Sequence, residues 1–236
     1  MNKIQFDIID STNTYLKLHY QEFPDFTVVC TNHQTSGKGR LGRLWEDDLT
    51  QALFSILLKK NLTLSSLEQY PLLASVAVHK VLVKYLPLLK IKWPNDIVFH
   101  DLKLCGILTE SIIDQRIQAL IVGIGININT LNFPAHLEKI ATSLLIETKQ
   151  SFNISAIIDE IIKSFEIVLK EFSKNQTSHI FYCNTYLSLK ERIITYTENN
   201  ITYEGIVKEI DITGRLVVST SQGIKYLSSG EVTLKK

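Results

Sequence analysis

Residues Gln34 to Trp45 read Gln-Thr-Ser-Gly-Lys-Gly-Arg-Leu-Gly-Arg-Leu-Trp, so Gly37, Gly39 and Gly42 alternate with Lys38, Arg40 and Arg43 before the indole of Trp45. Glycine permits close backbone approach, and each cation adds charged donors that suit phosphate or carboxylate. A solvated basic turn between two strands has the same composition, so the loop alone does not decide. Further along, Lys92, Asn95 and Asp96 flank Pro94, Lys103 and Gly106 open the next apolar segment, and Gly123, Gly125 and Asn127 close another. Glycines inside a strand mark close approach by a ligand or a second backbone. Two general phosphate motifs fail. A P-loop would need glycine where Asn32 stands and Ser or Thr where Gly39 stands, and a dinucleotide fingerprint would need glycine at Ile128.

The elements that must position these groups follow from apolar periodicity. Short strands are expected over Ile4–Ile9, Thr27–Thr31 and Leu53–Leu58, with Ser11 capping a helix that carries Tyr15, Leu16 and Leu18. One long helix is expected from Ser65 to Leu86, with Ser65 and Glu68 as a capping box or Pro71 in its first turn, and Pro87 as its stop. A meander of strands then runs from Leu89 to Asn129, turning at Pro94–Asp96, His100–Leu102 and Asp114–Arg116. Helices over Asn153–Lys174 and Ser178–Leu187 follow, and from Lys190 four short strands separated by turn residues form a compact all-β appendage.

With 236 residues, 45% of them hydrophobic and 21% charged, the chain can bury a real core and reads as an ordinary globular protein. A formal net charge of +1 argues against a main task of gripping nucleic acid. Cys30, Cys105 and Cys183 are far apart and fit neither a disulfide framework nor a Cys-x-x-Cys site, so inert buried thiols in a reducing cytoplasm are expected. The N-terminus lacks a signal-peptide pattern and the apolar runs are too short for a bilayer, so no membrane association is expected. The six histidines show no ligand spacing, and no metal is assigned to protein side chains.

Five motifs in register resemble the biotin–protein ligases: Ser11-Thr12-Asn13, the Gly37-Lys-Gly-Arg-x-Gly-Arg-x-Trp45 loop, Lys92-Trp-Pro-Asn-Asp96, Lys103-x-x-Gly106-Ile-Leu and Gly123-x-Gly-x-Asn127. Ala141-Thr-Ser-Leu144 and Gly230-Glu-Val232 are also similar to that family. The resemblance implies an α+β fold: a mixed sheet with helices, as in class II synthetase-like ligases, over residues 1–189, and a small SH3-like barrel over residues 190–236. It implies an enzyme that joins biotin and ATP into biotinyl-5′-AMP, with Mg²⁺ carried on the phosphates. Biotin then passes to a lysine of a biotin carboxyl carrier protein, such as the acetyl-CoA carboxylase subunit or a related carboxylase.

By position, the resemblance assigns Ser11, Thr12 and Gln34 to the ureido head of biotin and the Gly123 and Gly125 backbone to its rings. Asn13, Gly37, Gly39 and Gly106 complete that side. Lys38 and Arg40 are expected at the biotin carboxylate and α-phosphate, Arg43 at the ATP phosphates, Trp45 on the nucleotide side and Asn127 at adenine. Lys103 is the first choice for catalysis, with Arg40 beside it, and Asp96 is expected to orient Lys103 or the incoming amine. Two departures stand out. Lys38 replaces a common Arg, which loses bidentate geometry, and Glu46–Gln51 replaces a Ser-Pro-x-Gly turn, so no role is transferred to residues 46–54. Because Ser11 lies so near Met1, no DNA-binding domain and no repressor activity are expected. A homodimer is compatible with these readings, and the oligomeric state stays open. Lipoate–protein ligation and a non-catalytic SH3-like binding module are the competing readings.

Overall fold

The computed structural model describes residues 2–198, 201–228 and 232–235. Seven strands form one sheet: β1 (Asn2–Ile9), β2 (Thr27–Gln34), β3 (Ala52–Leu58), β4 (Lys90–Lys92), β5 (Asp96–Phe99), β6 (Leu102–Asp114) and β7 (Arg116–Ile126), in the order β1-β2-β3-β7-β6-β5-β4. Only β1 and β2 run parallel, so the sheet is mixed, as expected.

Side-chain alternation gives the sheet two different faces. On one face, Val28, Cys30, Phe54, Ile56, Val122, Ile124 and Ile126 belong to a large core completed by helices α3 (Tyr70–Leu82) and α5 (Ile154–Lys174). Asn153 caps α5, and its Ile157, Ile158, Ile161, Ile162, Phe165, Val168 and Phe172 form the buried stripe. On the other face, Val29, Leu57, Ala119 and Ile121 pack against Leu16 of α1 (Thr12–His19). Helix α1 is short, so it covers only part of that face. Past its N-terminus β7 continues as Gly123 and Gly125 and leaves the sheet without side chains.

The expected single helix over Ser65–Leu86 is divided. A short α2 (Leu64–Leu67) is closed by a capping box between Thr63 and Ser66, not by Ser65 and Glu68. Helix α3 begins beside Pro71, whose missing N–H is harmless only in a first turn, so the proline starts a helix here. At its far end α3 stops at Leu82, before Pro87, because the chain passes through turns that bring Leu86 and Leu89 into the core. An unforeseen α4 (Leu144–Thr148) is capped by Ser143, whose Oγ accepts the Ile146 N–H at 3.0 Å. Helix α6 (Ser178–Thr185) lies close to expectation.

The C-terminal strands β8 (Ile193–Glu198), β9 (Ile201–Ile210), β10 (Leu216–Thr220), β11 (Gly223–Leu227) and β12 (Val232–Leu234) form an antiparallel sheet in the order β11-β10-β9-β8-β12. Gly230 and Glu231 of the expected closing motif lie outside the described residues. Among the described residues, Ile194, Tyr196, Val207, Ile210, Leu216 and Val218 of the second sheet join the main apolar cluster. Trp93 Nε1 also donates to Gly214 O at 2.9 Å, and Arg192 pairs with Asp101 through both guanidinium amino groups.

All three cysteines are free and buried. Burial pushes the Cys30 thiol up to about 11 and the Cys183 thiol up to about 12, and raises Cys105 as well. They are packing groups and not thiolate nucleophiles. Phe165 is fully buried in the stripe of α5, so Phe165→Ala is expected to cost about 3–5 kcal/mol in chemical denaturation. A loss under about 1 kcal/mol would show that this face does not hold α5 to the sheet.

Candidate active site

The open stretch of sheet is the floor of a cleft of about 340 Å³. Strand register sets its geometry. Ser55, Gly123 and Leu108 lie in one cross-strand row, and Leu53, Gly125 and Gly106 in the next, with Asp96 opposite Gly106. The Trp45 indole rests on this floor. A Cβ on Gly125 would come within 2.6 Å of Trp45 Cε2, and one on Gly106 within 2.8 Å of Cζ3 and 2.9 Å of Lys103 Nζ. A Cβ on Gly123 would overlap Asn13 Oδ1. Absence of side chains at three positions therefore makes the room.

The Gly-rich loop lies across the cleft as a small hairpin. Trp45 N donates to Gly37 O at 3.0 Å, Gly39 N to Arg43 O at 2.7 Å, and Lys38 bridges Leu44. At its tip Leu41 and Gly42 both have left-handed φ, 56° and 75°, which a glycine accommodates without strain. Gln51 Oε1 accepts the Trp45 indole N–H at 2.8 Å, and Arg40 Nη1 donates to Asn95 Oδ1 at 2.9 Å. Asn95 Nδ2 in turn donates to Ile107 O at 2.7 Å.

Lys103 is held at both ends. Its backbone N–H donates to Ile140 O at 2.8 Å and its carbonyl accepts Thr142 N–H at 2.9 Å, while Nζ lies 2.8 Å from Asp96 Oδ1 and 5.6 Å from the Trp45 ring centroid. Asn127 braces the same segment, donating from Nδ2 to Thr142 O at 3.0 Å. Among the described residues, the lining carries Lys38, Arg40, Arg43, Lys92 and Lys103 against two carboxylates, Glu46 and Asp96. That excess of cations is local, since the whole chain is nearly neutral. Toward α1 the lining side chains Ser11, Thr12, Asn13 and Gln34 are uncharged, with Thr12 N donating to Gln34 Oε1 at 2.9 Å, and Lys38 Nζ reaches to their border, donating to Thr14 Oγ1 at 3.2 Å. Phe133, Leu137 and Ile140 form an apolar wall beyond Asn127. The cleft can thus hold a neutral polar head together with several negative charges.

Comparison with known proteins agrees with this geometry. Residues 5–127 match the Biotin/lipoate A/B protein ligase family, and residues 191–235 match the Biotin protein ligase C terminal domain. The bifunctional ligase/repressor BirA of Bacillus subtilis is 31% identical over 239 residues, covering 98% of this chain and 73% of that protein. The chain belongs to the biotin–protein ligase family. Biotin–[acetyl-CoA-carboxylase] ligase of Mycobacterium tuberculosis is 26% identical over 218 residues, covering 88% of this chain and 79% of that protein. The biotin protein ligase of Aquifex aeolicus, solved in complex with biotin and ATP, superposes with a TM-score of 0.88 at 27% identity, covering 100% of this chain and 99% of that one.

Within this biotin–protein ligase cleft, the structure gathers Ser11, Thr12, Asn13, Gln34, Lys38, Gly39, Arg40, Arg43, Trp45, Asp96, Lys103, Gly106, Gly123, Gly125 and Asn127. Gly37 is the exception. It stands behind Trp45, where a Cβ would meet Trp45 O at 2.5 Å, so it serves the hairpin and does not line the cleft. Residues 46–54, to which no role was transferred, supply two supports. Gln51 holds Trp45, and Asp47, whose side chain is buried, accepts from Gln34 N at 2.9 Å while facing His33 Nδ1 at 2.7 Å. Ser55 and Glu110 were also missed; the one signal for Ser55 was a hydroxyl inside the apolar run of β3.

Gly123→Ala would push the Asn13 amide aside, and it is expected to weaken biotin binding on the order of tenfold or more by calorimetric titration. Wild-type affinity would show that the floor tolerates a methyl group.

Proposed function

We propose that this protein makes biotinyl-5′-AMP from biotin and ATP and transfers the biotinyl group to a lysine of a biotin carboxyl carrier domain. The carrying observation is the placement of Lys103 Nζ, beside Asp96 and over the glycine floor, in a cleft lined by both uncharged polar side chains and further cations. Ser11, Thr12 and Gln34 bind the ureido head, and the floor at Gly123 and Gly125 takes the rings. The valerate carboxylate then points toward Lys38, Arg40 and Lys103. Arg43 meets the ATP phosphates, Trp45 packs between the rings and the nucleotide, and adenine lies by Asn127 and its apolar wall.

A carboxylate oxygen attacks the α-phosphorus, the bond to the β-phosphate oxygen breaks, and pyrophosphate leaves. Two anions repel each other, so the cations lower the barrier by holding them together and by meeting the charge that develops on the phosphoryl oxygens. Asp96 keeps the Lys103 ammonium aimed into the cleft. In the second step the carrier's lysine nitrogen attacks the carbonyl carbon of the mixed anhydride. The amide forms, AMP departs, and the amine proton goes to solvent.

Mg²⁺ fits as a companion of the nucleotide. Among the described residues, the lining carboxylates are Asp96, paired with Lys103, and Glu46, paired with His136, and no group of three or more His, Cys, Asp or Glu is set to hold a metal. An ion that keeps its waters and binds through phosphate oxygens suits this donor set, and it would offset phosphate charge. No described helix is long and apolar enough to cross a membrane, and three free buried thiols agree with a reducing cytoplasm. The reading includes no DNA repression; a net charge of +1 argues against a main task of gripping nucleic acid.

Incubating the purified protein with ATP, a carrier domain and either biotin or lipoate tests the substrate. Carrier labelling by biotin alone is expected, and labelling by lipoate alone would replace the reading. Lys103→Ala is expected to slow adenylate formation by roughly 10²-fold or more; a wild-type rate would remove Lys103 from the mechanism.

A further inference from the structure

The uncharged part of the cleft lining is wired to an ion pair that no step of the reaction touches. Glu110, on β6, pairs through Oε1 with Lys17 of α1 at 2.8 Å, and its Oε2 accepts Asn13 Nδ2 at 2.8 Å. Asn13 Oδ1 accepts from Ser55 Oγ at 2.6 Å, Ser55 Oγ lies 2.6 Å from Thr12 Oγ1, and Gln34 Oε1 accepts from Thr12 N at 2.9 Å. Asn13, Ser55 and Thr12 are all buried.

A proton inventory fixes the direction of every bond in this run. Burial acts to raise the Glu110 carboxyl, but hydrogen bonds from Lys17 and Asn13 outweigh it and hold the group below its ordinary value. A carboxylate only accepts, so the Asn13 amino group must face it and Oδ1 must face Ser55. Leu108 O, the other acceptor near Asn13 Nδ2, is 3.4 Å away and too distant to hold the amide by itself. Ser55 gives its one hydroxyl proton to Asn13, so the 2.6 Å contact with Ser55 takes the Thr12 proton, in preference to the longer 3.2 Å approach of Thr12 Oγ1 to Gln34 Oε1. Thr12 Oγ1 is left with lone pairs at the cleft. Gln34 spends Oε1 on a backbone N–H, which can only donate, and so keeps its amino group for a ligand. Thr12 and Gln34 thus offer one acceptor and one donor, beside the Ser11 hydroxyl, which matches the N–H and C=O of a cyclic urea.

We propose that Glu110 is a positioning residue that sets the donor–acceptor polarity of the biotin-head site through Asn13, Ser55 and Thr12. This rests on the biotin reading above and adds the group that orients it. With a neutral amide in place of the carboxylate, the Asn13 amide is free to turn over. Ser55 would then receive a proton from Asn13 and pass its own to Thr12, whose hydroxyl would meet the ureido N–H as a second donor.

The test measures biotin Kd by calorimetry, ATP KM and Tm for the whole chain carrying Glu110→Gln, alone and combined with Asn13→Asp. Carboxylate at position 13 can only accept, so it restores the direction of the Ser55 bond whatever stands at 110. The expected result for Glu110→Gln is a biotin Kd raised about tenfold, with ATP KM and Tm near wild type. The double substitution should recover most of that loss. Three results would overturn the proposal: wild-type biotin affinity in Glu110→Gln, equal weakening toward biotin and ATP, or no recovery in the double variant. Should Glu110→Gln lower Tm sharply, Ser55→Ala takes its place; the same biotin-selective loss is expected, and an unchanged Kd overturns the idea. A wild-type protein that binds no biotin would instead remove the functional reading and this inference together.

Discussion

The cleft exists because two neighbouring strands, β6 and β7, meet in a register that strips one patch of sheet of side chains. Gly123 and Gly125 on β7 lie on the same face as Ala119 and Ile121, and Gly106 on β6 falls opposite Gly125. One face of β7 therefore changes along its length from core under α1 to bare floor beyond it. A shift of one residue in the pairing would turn the apolar partners of α1 outward and carry the glycines into the opposite core. The positions of Asn13, Trp45 and Lys103 all depend on that register, since each lies where a Cβ would otherwise stand. Stability and site construction are thus served by the same ladder.

Above the floor, groups that arrive from distant parts of the chain are fixed by a few directional bonds. Arg40 is tied to Asn95, Trp45 to Gln51, Gln34 to Asp47 and Lys103 to Asp96. Each tie joins the loop or a strand end to a different segment, so the hairpin, the Pro94 turn and the start of β6 form one unit. Preorganised charge is effective in catalysis because little reorganisation remains when the reaction occurs. The C-terminal sheet takes part indirectly. Its strands share the main core, Gly214 holds the Trp93 indole, and Val232 and Thr233 reach the cleft lining.

Much of this was legible in the sequence. Apolar runs bounded by turns located the strands of the first sheet and four of the five in the second, missing β12, and every expected site residue except Gly37 lies in the cleft lining. What escaped depends on pairing in three dimensions. Ser55 lies in an apolar run, and its part in the site follows only from its place opposite Gly123. Glu110 reads as a surface carboxylate until α1 brings Asn13 and Lys17 onto it. Gly37 belongs to the same motif as Gly39, yet hairpin geometry puts it behind Trp45. Pro71 was visible, but whether it lay inside a longer helix or began a new one was decided by the Thr63 cap and the turn it closes.

The most direct test of the central claim omits the carrier: mix purified protein with ATP and biotin, and follow pyrophosphate release and biotinyl-5′-AMP in a single turnover. The account predicts pyrophosphate release that requires biotin and stops near one equivalent, with the adenylate retained on the protein. Release that ignores biotin, or no adenylate at saturating biotin and ATP, would contradict it.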